Sequence, residues 1–246
     1  MQNIRNRPRA KLRIISRSTE PFKDRTEAGY LLAKQLADLR NKGAIVLGIP
    51  RGGIVVAKAL ASKIHADLDI ILSRKLGTPG QPELAMGALA EDGKVFLNRD
   101  IVRSMALTEE DIAPEKARQT KEIKQRTQLI RSVLPKTRLK NRIVIVTDDG
   151  VATGATMQAA LWAVRQENPK RIIAAVPVAS QEALEKLAAD SDEIICLHLP
   201  TLFYAVGQFY IHFDQVEDNE ILRILKGEVR RRKRRQKDLK SGRTSG

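Results

Sequence analysis

A single cysteine, Cys196, excludes an intrachain disulfide framework, and with His65, His198 and His212 as the only histidines no CxxC or HExxH spacing for zinc exists. No run approaches the eighteen or so consecutive apolar residues of a membrane span, and the start of the chain lacks the apolar middle segment of a secretory signal. These absences predict a cytoplasmic protein in a reducing compartment with no membrane partner. The turns GxxxxGK[ST], GxGxxG and GxSxG are also missing, which removes the main support for NTPase, dinucleotide and serine-hydrolase readings. Aromatic residues make up 4% of the 246, and five of them fall between Phe203 and Phe213.

Negative charge is scarce at the two ends. Residues 1–18 carry six bases and no acid, and residues 226–246 carry ten bases against Glu228 and Asp238. Of the formal +15, the ends hold +6 and +8, leaving +1 for residues 19–225. Without apolar periodicity, and repelling themselves, both ends are expected to be disordered basic arms. The run Arg230 to Arg235 would suit weak contact with nucleic-acid phosphates; a solubilising extension is the alternative.

The body, with 42% hydrophobic residues in the whole chain, has ample material for a packed core. Asp24 followed by Glu27 signals a helix start, and short apolar runs at 44–49, 68–72, 142–147, 171–178 and 193–199 alternate with helical patterns at 54–64, 155–167 and 181–189. That alternation predicts an α/β fold, a parallel sheet with helices on both faces. A charged helical insert is expected at about 100–138, divided at Pro114, and a last helix at 219–225. Residues 76–90, rich in Gly77, Pro79, Gly80 and Pro82, read as a mobile loop, with extended segments at 85–90 and 94–97 turning through Asp92-Gly93.

Chemistry concentrates in RIVIVTDDGVATGATM, residues 142–157. A buried strand delivers Asp148 and Asp149 to its carboxyl end, the edge where open parallel sheets bind ligands. Ala152, Thr153, Gly154, Ala155 and Thr156 then open a helix whose first amides and small hydroxylated side chains can close around a phosphate. Two carboxylates beside an anion site suit neutral hydroxyls or a metal. Arg51, Gly52 and Gly53 end the first strand in a turn able to wrap a polyanion, and Arg74 and Lys75 end the next. Taken singly, each segment also reads as a plain turn or a charged strand end.

Strand, acidic pair and Thr-Gly loop together resemble the phosphoribosyl pyrophosphate motif of type I phosphoribosyltransferases. With the PRGG turn, the RK-G-PG loop and the insert, the chain is most similar to the bacterial predicted phosphoribosyltransferases, over about residues 43–98 and 140–215. The resemblance implies a small C-terminal hood at about 199–216. It implies a glycosyltransferase of nucleotide metabolism that passes the 5-phosphoribosyl group from phosphoribosyl pyrophosphate to a nitrogen nucleophile, a nucleobase. By resemblance Asp148 and Asp149 hold the ribose hydroxyls and residues 152–156 the 5'-phosphate. Arg51, Gly52, Gly53, Arg74 and Lys75 hold pyrophosphate, and Mg2+ binds through that pyrophosphate.

Tyr204 stands at the base-stacking position with Phe203 beside it, although these aromatics could equally form the hood's own core. Ala152 replaces the loop acid of some purine enzymes, no lysine follows the 171–178 strand, and Ile211 stands where an acid is expected. These departures weigh against a 6-oxopurine and leave acid catalysis to Glu83 or Glu91. A non-catalytic phosphoribosyl pyrophosphate sensor binding nucleic acid through its tails is the alternative. A homodimer is compatible with the sequence, which does not fix the assembly.

Overall fold

The computed structural model describes residues 10–241. Strands β1 (Lys11–Ser16), β2 (Ile45–Gly48), β3 (Asp67–Ile70), β7 (Ile143–Thr147), β8 (Arg171–Val178) and β9 (Glu193–His198) form one parallel sheet in the order β1-β9-β8-β7-β2-β3. Helices cover both faces, as the continuous apolar runs require. Alternate residues Val46, Ile145 and Ile173 point to helices α1 (Arg25–Gln35), α2 (Gly53–Ile64) and α7 (Asp218–Ser241). Leu47, Val146 and Ile172 point the other way, to α5 (Ala155–Arg165) and α6 (Gln181–Leu187). Cys196 is buried in β9, where desolvation pushes its thiol up to about 12, so it packs as a small hydrophobe.

Beyond the edge strand β1, the chain fills the sheet outward in opposite directions from the β2/β7 boundary, where Gly48 lies in register with Thr147. Loops leaving the carboxyl ends of these two strands therefore face one crevice, the position favoured for ligands in open α/β sheets.

Three expectations are corrected. Residues 11–16 are not a disordered arm: they form β1, paired with β9, because Arg13 reaches the buried Glu193 carboxylate and Ile14 packs on the helical layer. Residues 226–241 are not a disordered tail: α7 runs unbroken from Asp218 along the β3 edge. There the buried Glu228 carboxylate accepts from the Leu68 N–H, while Arg231 and Arg232 donate to the Ala66 and Leu68 carbonyls. The outermost residues of both basic ends, 1–9 and 242–246, lie outside the described residues.

The third correction concerns the mobile loop at 76–90. It is a hairpin, β4 (Ser73–Thr78) and β5 (Gln81–Ala90), extended by β6 (Val95–Leu97) into an antiparallel sheet. Gly80, at φ 75°, makes the hairpin turn, and Gly93, at φ 82°, makes the turn expected at Asp92-Gly93. One hairpin face sets Ala85 and Ala88 on Ala155, Ala159 and Trp162 of α5. The other sets Leu76, Met86 and Leu89 on Ile112 and Ile123 of the insert. The insert comprises α3 (Arg99–Ser104) and α4 (Glu109–Arg131), broken at Ala106 (φ 50°) rather than at Pro114, which α4 absorbs.

Candidate active site

The acidic pair sits at the end of β7 beneath the turn that follows β2. A Cβ added to Gly52 would run into the Asp149 carboxylate, and one added to Gly53 would lie 2.8 Å from Asp148 Cα. These glycines are thus fixed by close approach of the turn to the acidic pair. The Pro50–Arg51 peptide is cis.

Asp148 Oδ1 accepts the Asp149 N–H at 2.9 Å. Surrounding protein, and then the neighbouring Asp149 charge, push the Asp148 carboxyl well above the ordinary carboxylate range. Asp149 is paired instead: Arg25 Nε donates to its Oδ2 at 2.8 Å, with both side chains mostly shielded from solvent.

Arg25 also ties the acidic pair to the hood. It donates to the Asp214 carbonyl at 2.8 Å and lies 3.9 Å over the Phe213 ring. The Tyr210 hydroxyl donates to the Asp149 carbonyl, and burial pushes that phenol up. The short helical turn Val206–Phe209 rests on Gly150, where a Cβ would meet Val206 at 2.5 Å. Sequence reasoning did not single out Arg25 as a contact of the acidic pair; its signal is a cation at the first position of a helix, against the dipole.

The loop from Ala152 to Thr156 reaches α5 through Gly154, in the left-handed region at φ 81°, and no side chain caps the helix start. Uncapped amides at a helix start are of the kind that suits an anion. Around it, Ser180 Oγ donates to the Ala152 carbonyl at 2.6 Å and Lys186 Nζ to the Thr153 carbonyl at 3.2 Å. Glu83 bridges the hairpin to this loop, accepting from Thr153 Oγ1 at 3.4 Å and Lys75 Nζ at 2.8 Å. The hydrogen bond from Lys75 holds the Glu83 carboxyl below its usual range.

Arg51 faces Asp218 at the start of α7, and Arg74 faces Glu122 of the insert at 3.2 Å. Of the remaining expected residues, Tyr204 is 82% exposed, whereas Phe203 turns inward against Phe209 with ring centroids 5.2 Å apart. Phe203 thus packs against the hood's own core. Glu91 is not brought to the site as a free acid: Arg131 grips both of its oxygens, at 2.6 and 2.9 Å, and Lys136 adds a third contact.

A model of the phosphoribosyl transferase domain matches residues 26–214. The chain belongs to the phosphoribosyl transferase family. Proteins of two Mycobacterium tuberculosis strains, CDC 1551 / Oshkosh and H37Rv, whose names mark them provisionally as phosphoribosyl transferases, are each 41% identical over 204 residues. That is 83% of this chain, which spans 46% of their length. The crystal structure of TT1426 from Thermus thermophilus superposes with a TM-score of 0.80 at 44% identity, over 84% of this chain and 98% of that one. In this family member the insert and hairpin are packed parts of the fold, and no helix among the described residues is long and apolar enough to cross a membrane.

Proposed function

We propose that the protein is a phosphoribosyltransferase: it transfers the 5-phosphoribosyl group from phosphoribosyl pyrophosphate to a nitrogen nucleophile, a nucleobase, and releases pyrophosphate. The observation that carries the reading is the direct packing of the Gly52-Gly53 turn on Asp148 and Asp149, with a phosphate-suited helix start on the same strand end. In this reading Asp148 and Asp149 accept hydrogen bonds from the two ribose hydroxyls. The amides of residues 153–156 and the Thr153 and Thr156 hydroxyls hold the 5'-phosphate. Arg51, Arg74 and Lys75 take up the charge that collects on pyrophosphate as its bond to the anomeric carbon breaks and the nitrogen bond forms on the opposite face. The nucleophile's proton leaves to solvent or to the departing phosphate, since Ala152 supplies no base in the loop. Tyr204 offers the base a ring to stack on.

Among the described residues no three His, Cys, Asp or Glu side chains converge into a metal cage, but two carboxylates beside a polyphosphate site suit Mg2+ arriving with the ligand. Bound so, the metal offsets pyrophosphate charge. The test is the double variant D148N/D149N, assayed for pyrophosphate release with phosphoribosyl pyrophosphate, Mg2+ and a panel of nucleobases. Losing two carboxylates that meet the ribose hydroxyls should lower turnover at least about 100-fold with the fold intact by circular dichroism. Unchanged turnover overturns the assignment.

A further inference from the structure

The insert helix α4 reaches the same edge as the Arg51 turn. Arg126 Nη2 donates to Asp218 Oδ1 at 3.2 Å, and Arg51 Nε approaches that same oxygen at 3.8 Å. Two guanidiniums from separate elements thus flank one carboxylate oxygen, itself half-exposed at the first residue of α7. One turn earlier on α4, Glu122 engages Arg74 at 3.2 Å. Arg126 Nε is buried and has no hydrogen-bond partner among the described residues, so a donor remains open where most buried donors are satisfied. Burial, then the like charges of Arg51 and Arg74, hold the Arg126 guanidinium below its usual range, consistent with three cations gathered around too little negative charge.

We propose that Arg126 is a third arginine of the leaving-group site and that Asp218 is the internal anion it releases when pyrophosphate oxygens take that place. The proposal rests on the phosphoribosyl pyrophosphate reading of the crevice. Guanidiniums hold phosphate oxygens through charge-assisted, often paired N–H donors, and here Arg126 and Arg51 turn towards one oxygen. Pyrophosphate has enough oxygens to engage Arg51, Arg126 and Arg74 together, which a single carboxylate does not. The Arg51 to Asp218 approach is longer than a hydrogen bond and mostly solvent-screened, so its loss costs little. A purely structural role for Arg126, clamping α4 to α7, makes a different prediction: removing Asp218's charge would then loosen the site.

Calorimetric titration of the full chain with two probes, magnesium pyrophosphate and ribose 5-phosphate, decides the matter. Arg126→Ala should weaken pyrophosphate binding by about tenfold or more and leave ribose 5-phosphate binding unchanged. Arg126→Lys, which keeps the charge and the packing stem, should fall between the two and guards against a folding defect. Asp218→Asn should tighten pyrophosphate binding. Wild-type-like pyrophosphate affinity in Arg126→Ala, or no tightening in Asp218→Asn, overturns the proposal. If the wild-type protein binds neither probe, the phosphoribosyl pyrophosphate reading falls, and this proposal with it.

Discussion

Asp148 is held where a carboxylate is costly, beneath backbone and beside Asp149, with its carboxyl raised in consequence. The linkage follows directly. At a pH below the ordinary Asp value of about 3.9 both folded and unfolded chains carry a protonated Asp148, and the site adds no penalty. As pH rises from there through the raised folded-state value, the unfolded chain ionises freely while the folded one does not, and stability is lost. Asp148→Asn keeps an oxygen for the Asp149 N–H and removes the penalty. Its melting temperature should equal that of the wild type near pH 3.5 and exceed it at pH 8 by at least about 2 °C, roughly what 1 kcal/mol gives in a domain this size. Equal melting at both pH values would show that the site does not strain the carboxylate. At this scale the sequence was readable wherever the requirement was local: acids at a strand end, glycines at a turn. Arg25 was not, because its partners Asp149, Phe213 and Asp214 are distant in sequence and only the fold assembles them.

The hairpin and the insert show how composition misleads about elements. Gly77, Pro79, Gly80 and Pro82 read as a loop because each disfavours regular strands, yet every one has a place in the β4–β5 hairpin. The β4–β5 register shifts around Gly77, where an added Cβ would lie 2.8 Å from the Pro82 carbonyl. The pair is stable because it is buried on both sides, which no local signal announces. Glu91, in the connection after β5, belongs to the joint that fixes the insert to the main sheet. Arg131 at the end of α4 binds Glu91, the buried Asp69 of β3 and the Ile70 carbonyl. Glu91→Ala leaves Arg131 and Lys136 without their shared partner in a poorly solvated place. It should destabilise the protein by about 3 kcal/mol in urea denaturation. Were Glu91 a catalytic acid instead, the same variant would lose turnover while keeping its unfolding midpoint.

Across the whole molecule, the alternation of strands and helices made the parallel sheet legible, but charge hid its two edges. β1 and the extension of α7 lie in the most basic stretches of the chain, and a basic stretch resembles a solvated arm until its partners are known. Those partners are few and buried: Glu193 for Arg13, and Glu228 with the β3 backbone for Arg231 and Arg232. An open strand edge invites pairing with other chains, and α7 covers the β3 edge with side chains that match its exposed amides and carbonyls. The positive charge in this part of the sequence therefore serves the fold as well as the solvent. Ending the chain at Leu225 would strip the edge of its cover, so the truncated protein should melt at least about 5 °C lower and show self-association by light scattering. A tail that were only a solvated polycation would give the opposite result: its removal would relieve repulsion and leave the melting temperature unchanged or higher.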